Sequence, residues 1–145
     1  MDTRTDTAEK LLQMSFLFHN KMMRPVFLNV RPDLSPLQVH VLHTLQDKGT
    51  ATMSLLANEI YISKQQTTRV IDQLVLQNFV HRDFDAQDRR IIKISLTPAG
   101  EAILKNIKKE AHDHVIDRLA SLDEKIIAEF NEAAGKLTRL LKELP

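Results

Sequence analysis

The stretch Ser54-Leu55-Leu56-Ala57-Asn58-Glu59-Ile60-Tyr61-Ile62-Ser63-Lys64-Gln65-Gln66-Thr67-Thr68-Arg69-Val70-Ile71-Asp72-Gln73-Leu74-Val75-Leu76-Gln77 decides the fold. Ser54 stands where it can cap a brief helix, Leu55 to Tyr61, that buries Leu55, Leu56 and Ile60. Two residues later Ser63-Lys64-Gln65-Gln66 is a Ser-x-x-Gln capping box, and the helix it opens runs to about Gln77. Thr67, Val70, Ile71, Leu74 and Val75 supply its buried face. Two capped helices joined by a tight turn at Tyr61-Ile62, all within about two dozen residues, have helix-turn-helix spacing.

Upstream, Ser35-Pro36-Leu37-Gln38 is a second box of the same kind, with proline at the first helical position. Its helix buries Val39, Val41, Leu42 and Leu45, and Gly49 closes it in the left-handed conformation. Thr50 to Met53 is a short β-prone piece. Downstream, Asn78 ends the second helix of the pair with a positive φ. Residues 79–83 and 90–96 are strand-like, the latter alternating Ile92, Ile94 and Leu96 against Ile91, Lys93 and Ser95. The polar run 84–89 between them is a hairpin tip, so the pair of helices carries a wing. Thr97-Pro98 opens a long helix towards Leu119 through Ile103, Leu104, Ile107, Ala111 and Val115. Ser121 or Asp123 starts a last one bearing Ile126, Ile127, Phe130, Leu137, Leu140 and Leu141. Ahead of everything, residues 8–30 read as one helix along Leu11, Leu12, Phe16, Phe18, Met22, Met23, Phe27 and Val30. Pro25 bends or restarts it, and Arg31-Pro32-Asp33 breaks it.

The fold class is therefore mainly α (α+β): a winged helix-turn-helix with long terminal dimerisation helices. Residues 34–97 form the compact winged domain. Residues 1–33 and 98–145 are helices whose apolar stripes would stay exposed in a lone chain, and a homodimer built from both ends covers them.

Charge alone points away from nucleic acid. The 145 residues carry 20 Lys and Arg against 19 Asp and Glu, a net +1, where a basic excess is the usual footprint. Residues 1–33 hold 5 bases and 4 acids, 34–97 hold 7 and 6, and 98–145 hold 8 and 9. Contact with a duplex must come from where single bases sit. With no cysteine, a disulfide scaffold, a thiolate metal site and thiol redox sensing are excluded. The run Leu11 to Asn20 is too short to span a bilayer, and Met1 to Asp6 lacks a signal peptide's apolar core. A soluble cytoplasmic protein without membrane partners or cofactors is expected. Three glycines allow no phosphate-cradling loop, and neither a nucleophile elbow nor a carboxylate pair is visible, so no enzyme is expected.

The second helix of the pair turns Lys64, Gln65, Thr68, Arg69 and Asp72 away from Val70 and Leu74. Arg suits guanine O6 and N7, Gln suits adenine, and Lys reaches phosphate or guanine. A merely solvated face would hold the same residue types. At the wing, Asp88-Arg89-Arg90 sets two guanidinium groups beside a carboxylate, and an Arg on a thin hairpin fits a narrow minor groove. The plain alternative there is a surface salt bridge.

Several short motifs in order resemble the MarR family of transcriptional regulators across essentially the whole chain. They are Leu34-Ser35-Pro36-Leu37-Gln38, Leu56-Ala57, Val70-Ile71-Asp72-Gln73-Leu74, Asp88-Arg89-Arg90, and Ile94-Ser95-Leu96-Thr97-Pro98-Ala99-Gly100. The resemblance implies a dimeric winged helix-turn-helix protein, a repressor on a pseudo-palindromic operator, released by a small non-covalent effector. It implies that Lys64, Gln65, Gln66, Thr68 and Arg69 face the major groove of double-stranded DNA. Arg90 would enter the minor groove, braced by Asp88, with Arg89 beside a phosphate. Asn78 departs from the family's usual glycine. The polar run Gln65-Gln66-Thr67-Thr68 leaves the operator unnamed.

The resemblance also implies an effector cavity between the dimer helices and the DNA-binding lobe, for a phenolic or lipophilic ligand. Phe16, His19, Met23 and His40 are its candidate lining, against dimer packing as the simpler use of the aromatic residues. A zinc-sensing branch places histidines near His40, His112 and His114. Here His112 and His114 point to different sides of a helix and Val39 stands where an acid is needed, so no metal site is expected. A winged helix used only to bind protein is the other reading of the chain, and a salt series on DNA separates the two.

Overall fold

A computed structural model describes residues 2–30 and 33–145, and of Asn29 and Val30 the backbone alone. The break expected at Arg31-Pro32 and the side chain of Val30 lie outside the described residues. The chain divides into two compact units, one up to Ala111 and one from His112 on.

The first helix, α1 (Thr3–Phe18), begins at Thr3 rather than at residue 8. Residues 3–7 hold no large apolar side chain, so periodicity could not register them. Local pairs sustain the turn instead: Lys10 meets Asp6 at 2.6 Å and the Thr7 hydroxyl donates to the Thr3 carbonyl at 2.7 Å. A π-helical turn, His19–Met23, then intervenes before α2 (Arg24–Val30). The Arg24 N–H reaches back to the His19 carbonyl, and Pro25, with no N–H, cannot continue the ladder. The single helix read over 8–30 is thus restarted at this point.

Both capping boxes form. In α3 (Pro36–Lys48), Ser35 Oγ accepts from the Gln38 N–H at 3.1 Å, while the Ser35 N–H donates to Gln38 Oε1 at 2.8 Å. Gly49 closes α3 at φ 78° and ψ −59°. Its φ is positive as expected, but the residue lies outside the left-handed helical basin. After β1 (Thr50–Thr52) comes α4 (Met53–Ile60), capped by Thr52, whose hydroxyl accepts from the Leu55 N–H at 3.2 Å. Ser54 is therefore not the cap. Thr52 pairs with Lys93 across the sheet and is held extended, as an N-cap must be.

Helix α5 (Lys64–Leu76) follows a turn in which Tyr61 takes φ 58°. Thr67, Val70, Ile71 and Leu74 are buried as expected, whereas Val75 is 37% exposed. The buried stripe is narrower than the sequence suggested. Asn78 has φ 60° and turns the chain into β2 (Val80–Phe84). With β3 (Ile92–Leu96) this makes an antiparallel sheet in the order β1-β3-β2, Val80 opposite Leu96 and Ala51 opposite Ile94.

Thr97 then starts α6 (Pro98–Leu119): its hydroxyl accepts from the Gly100 N–H at 3.0 Å and donates to the Asn78 carbonyl at 2.6 Å. Ile103, Leu104 and Ile107 of α6 join Val41, Leu42, Leu45, Leu56, Ile71, Leu74 and Ile94 in one buried cluster. This core fixes α5 and the β2–β3 hairpin on a common scaffold.

Of the two starts offered for the last helix, Asp123 is the cap. Its Oδ1 accepts from the Ile126 N–H at 2.9 Å and α7 runs Glu124–Leu141. No residue of α7 is buried. Ile126, Ile127, Phe130, Leu140 and Leu141 all stay exposed, and so do Leu12 and Phe16 of α1.

Candidate nucleic-acid interface

Helix α5 owes its surface to its cap. Ser63 Oγ accepts from the Gln66 N–H at 3.1 Å and the Ser63 N–H donates to Gln66 Oε1 at 3.4 Å. The Gln66 oxygen is thereby engaged, leaving its NH₂ group to face outward. Burial of Thr67, Val70, Ile71 and Leu74 turns Lys64, Gln65, Gln66, Thr68 and Arg69 to solvent on the opposite side. The Thr68 hydroxyl donates to the Lys64 carbonyl at 3.0 Å, so its methyl and lone pairs are what it offers. Donors, an amide and two cations thus stand side by side on a rigid element.

Asp72, read as part of this face, is engaged elsewhere. It forms an ion pair with Arg82 of β2, tying the wing to the middle of α5. Arg82 carried no sequence signal, because its partner lies ten residues away across a turn.

The wing is braced by two aspartates. Asp85 Oδ1 accepts from the backbone N–H groups of Gln87 at 2.9 Å and Asp88 at 3.1 Å, and its other oxygen meets Lys93 Nζ at 2.7 Å. The lysine hydrogen bond, then the two backbone N–H groups, pull its carboxyl down to about 2. Asp85 was also missed in sequence, although an aspartate bonding the backbone two and three residues on is the usual chemistry of such turns. Asp88 grips Arg90 in three ways: Oδ1 accepts from the Arg90 N–H at 3.0 Å and from Nε at 3.1 Å, and Oδ2 from Nη2 at 3.2 Å. The side-chain bond to Arg90, followed by its backbone N–H, lowers the Asp88 carboxyl too. Arg90 remains 90% exposed at the side chain despite this. The guanidinium is oriented without being covered, and Arg89 is exposed beside it.

His19 and Met23 share the π turn; Phe16, His19 and His40 are exposed and Met23 is half-buried. Among the described residues of the first unit, two clefts stand out. One, of about 390 Å³, lies between Leu45, Leu96 and Lys105; the other, of about 780 Å³, between Phe27, Leu34, Gln38 and Leu76. None of the four candidates lines either. Among the described residues no three His, Asp or Glu side chains stand together as a metal ion requires. Burial, and then Lys108, lower the pKa of His43. No helix among the described residues is long and apolar enough to cross a membrane.

The model of the MarR family matches residues 34–92. An uncharacterised HTH-type transcriptional regulator of Bacillus subtilis, YsmB, is 29% identical over 109 residues, covering 75% of each chain. Among solved structures, wild-type MarR of E. coli superposes with a TM-score of 0.77 at 22% identity, over 88% of this chain and 95% of that one. BpsR of Bordetella bronchiseptica, whose DNA binding is regulated by 6-hydroxynicotinic acid, gives a TM-score of 0.65 at 20% identity, over 94% of both chains.

Proposed function

We propose that this chain, whose residues 34–92 match the model of the MarR family of transcriptional regulators, is a homodimeric repressor of a pseudo-palindromic operator, released by a small non-covalent effector. The observation that carries the reading is the pairing of two surfaces on one scaffold. Helix α5 offers Lys64, Gln65, Gln66, Thr68 and Arg69, and the wing offers an exposed Arg90 oriented by Asp88. In this proposal α5 enters the major groove, Arg90 the adjacent minor groove, and Arg89 lies against a phosphate.

Dimerisation rests on the exposed apolar positions of α7 and α1, which a second copy would cover. Two copies set two α5 helices on one side of a duplex, with half-sites about one turn, roughly 34–36 Å, apart. Occupation of a promoter by such a dimer blocks it sterically. Effector release requires a ligand with different affinities for the DNA-competent and incompetent arrangements. The π turn at His19–Met23, with Phe16 and His40, is the proposed place of action, since such turns are irregularities that favour functional sites. The relation of BpsR to 6-hydroxynicotinic acid supports a small aromatic acid as the first compound to test.

Selection of binding sites from random duplex DNA tests the reading. A two-fold-related motif at the stated spacing, bound with an affinity that falls steeply with salt, is the expected result. Failure to shift any duplex at low salt overturns it in favour of a protein-binding winged helix.

A further inference from the structure

The two capping boxes differ in one respect. In α5, Gln66 is exposed and serves only its own cap. In α3, Gln38 is 6% exposed, and its side chain has a second task. While Oε1 accepts from the Ser35 N–H at 2.8 Å, Nε2 points across to the last turns of α5. There it lies 3.4 Å from both Gln73 Oε1 and Gln77 Oε1. Gln73 and Gln77 are one helical turn apart, so the amide straddles them. One side chain thus closes the start of α3 and holds the end of the helix that carries Lys64, Gln65 and Arg69.

We propose that Gln38 is a positioning residue for α5, acting through Gln73 and Gln77 to set how α5 is presented to DNA. A cap alone needs only the oxygen, and an N3 glutamine that did nothing else would stay in solvent, as Gln66 does. Burial of the amide is tolerable only because its donors find acceptors. At 3.4 Å these contacts are long and contribute little stability. Their consequence is geometric: they bear on the end of α5 farthest from its DNA-facing start, so a small tilt there displaces Lys64 and Gln65. The same amide also borders the cleft between Phe27, Leu34 and Leu76. Movement of α2 against α3 would therefore be felt at α5 through this residue.

The proposal rests on the DNA-binding reading, and the test keeps the two apart. Gln73→Met with Gln77→Met removes the bridge and leaves the α3 cap whole; Gln38→Met removes both. For the double variant the melting temperature should fall by no more than a few degrees, the cost of leaving the Gln38 amide without its acceptors. Its affinity for a selected operator should fall roughly three- to tenfold. The slope of affinity against salt should not change, because no phosphate contact is lost. Gln38→Met should lower the melting temperature and cost the same factor in affinity, and all three substitutions together should cost no more. Native affinity in the double variant, or additive losses, overturns the proposal alone. Should the double variant fold poorly, Gln77→Met by itself is measured against the same two outcomes. A native protein that binds no duplex overturns the DNA reading, and this role with it.

Discussion

Gly100 packs its bare Cα against the backbone of Phe79: a Cβ built at Gly100 would overlap the Phe79 carbonyl. That carbonyl also accepts from the Thr97 N–H at 3.1 Å. The first turn of α6 is thereby seated on the turn that leaves α5, and the Leu-Thr-Pro-Ala-Gly motif acquires a physical meaning. Threonine caps the helix and holds the Asn78 carbonyl, while glycine permits the approach.

Gly100→Ala should therefore destabilise the protein, although alanine favours helices elsewhere. The opposing atoms are backbone and cannot swing aside, so overpacking of about 1–3 kcal/mol is expected. Chemical denaturation checks it, and a variant as stable as the native chain would show that α6 can shift without cost.

Removal of the Arg90 guanidinium should weaken binding to all duplexes and flatten its salt dependence, since the loss is electrostatic. Asp88→Ala should give a smaller loss: the charge remains but is no longer oriented. Salt titrations of the two variants decide this, and unchanged affinity in Arg90→Ala at moderate salt removes the wing from the interface.

Substitutions on α5 should behave differently. Arg69→Ala or Gln65→Ala is expected to alter sequence preference at one position of each half-site, by about 1–3 kcal/mol per base contact. Repeating the site selection with each variant reads this directly. A uniform loss over all sequences would assign these residues to phosphates.

The wing should also respond to acid. The Asp85 carboxyl lies at about 2 against an ordinary 3.8. Its lowered value favours the folded wing above the ordinary pKa, and that contribution is lost as pH falls from about 4 towards 2. The NMR shift of the Gln87 amide should titrate in that window. In Asp85→Asn most of that titration should disappear, and an unchanged titration would place the acid response elsewhere.

Local chemistry explains what was legible in the sequence. Both Ser-x-x-Gln boxes, the Asn78 turn, the Thr97 start of α6 and the Asp88–Arg90 brace involve groups within three residues of one another. Such contacts depend on residue type and spacing, which a sequence states outright. Periodicity located the buried stripe of α5 but overran at Val75, because a hydrophobic residue beside the stripe looks the same as one within it. It also missed residues 3–7, where helix forms without an apolar face.

What only the tertiary structure decided are relationships across the chain. Thr52 rather than Ser54 caps α4 because pairing with Lys93 holds it extended. Asp72 belongs to Arg82, and Gln38 reaches Gln73 and Gln77, thirty-five and thirty-nine residues on. A sequence lists these side chains as polar and leaves them on a surface. The packing of α3, α5 and the sheet around one core brings them within reach. The winged fold follows from local signals, whereas the precise setting of α5 within it follows from contacts that exist only once the chain has closed.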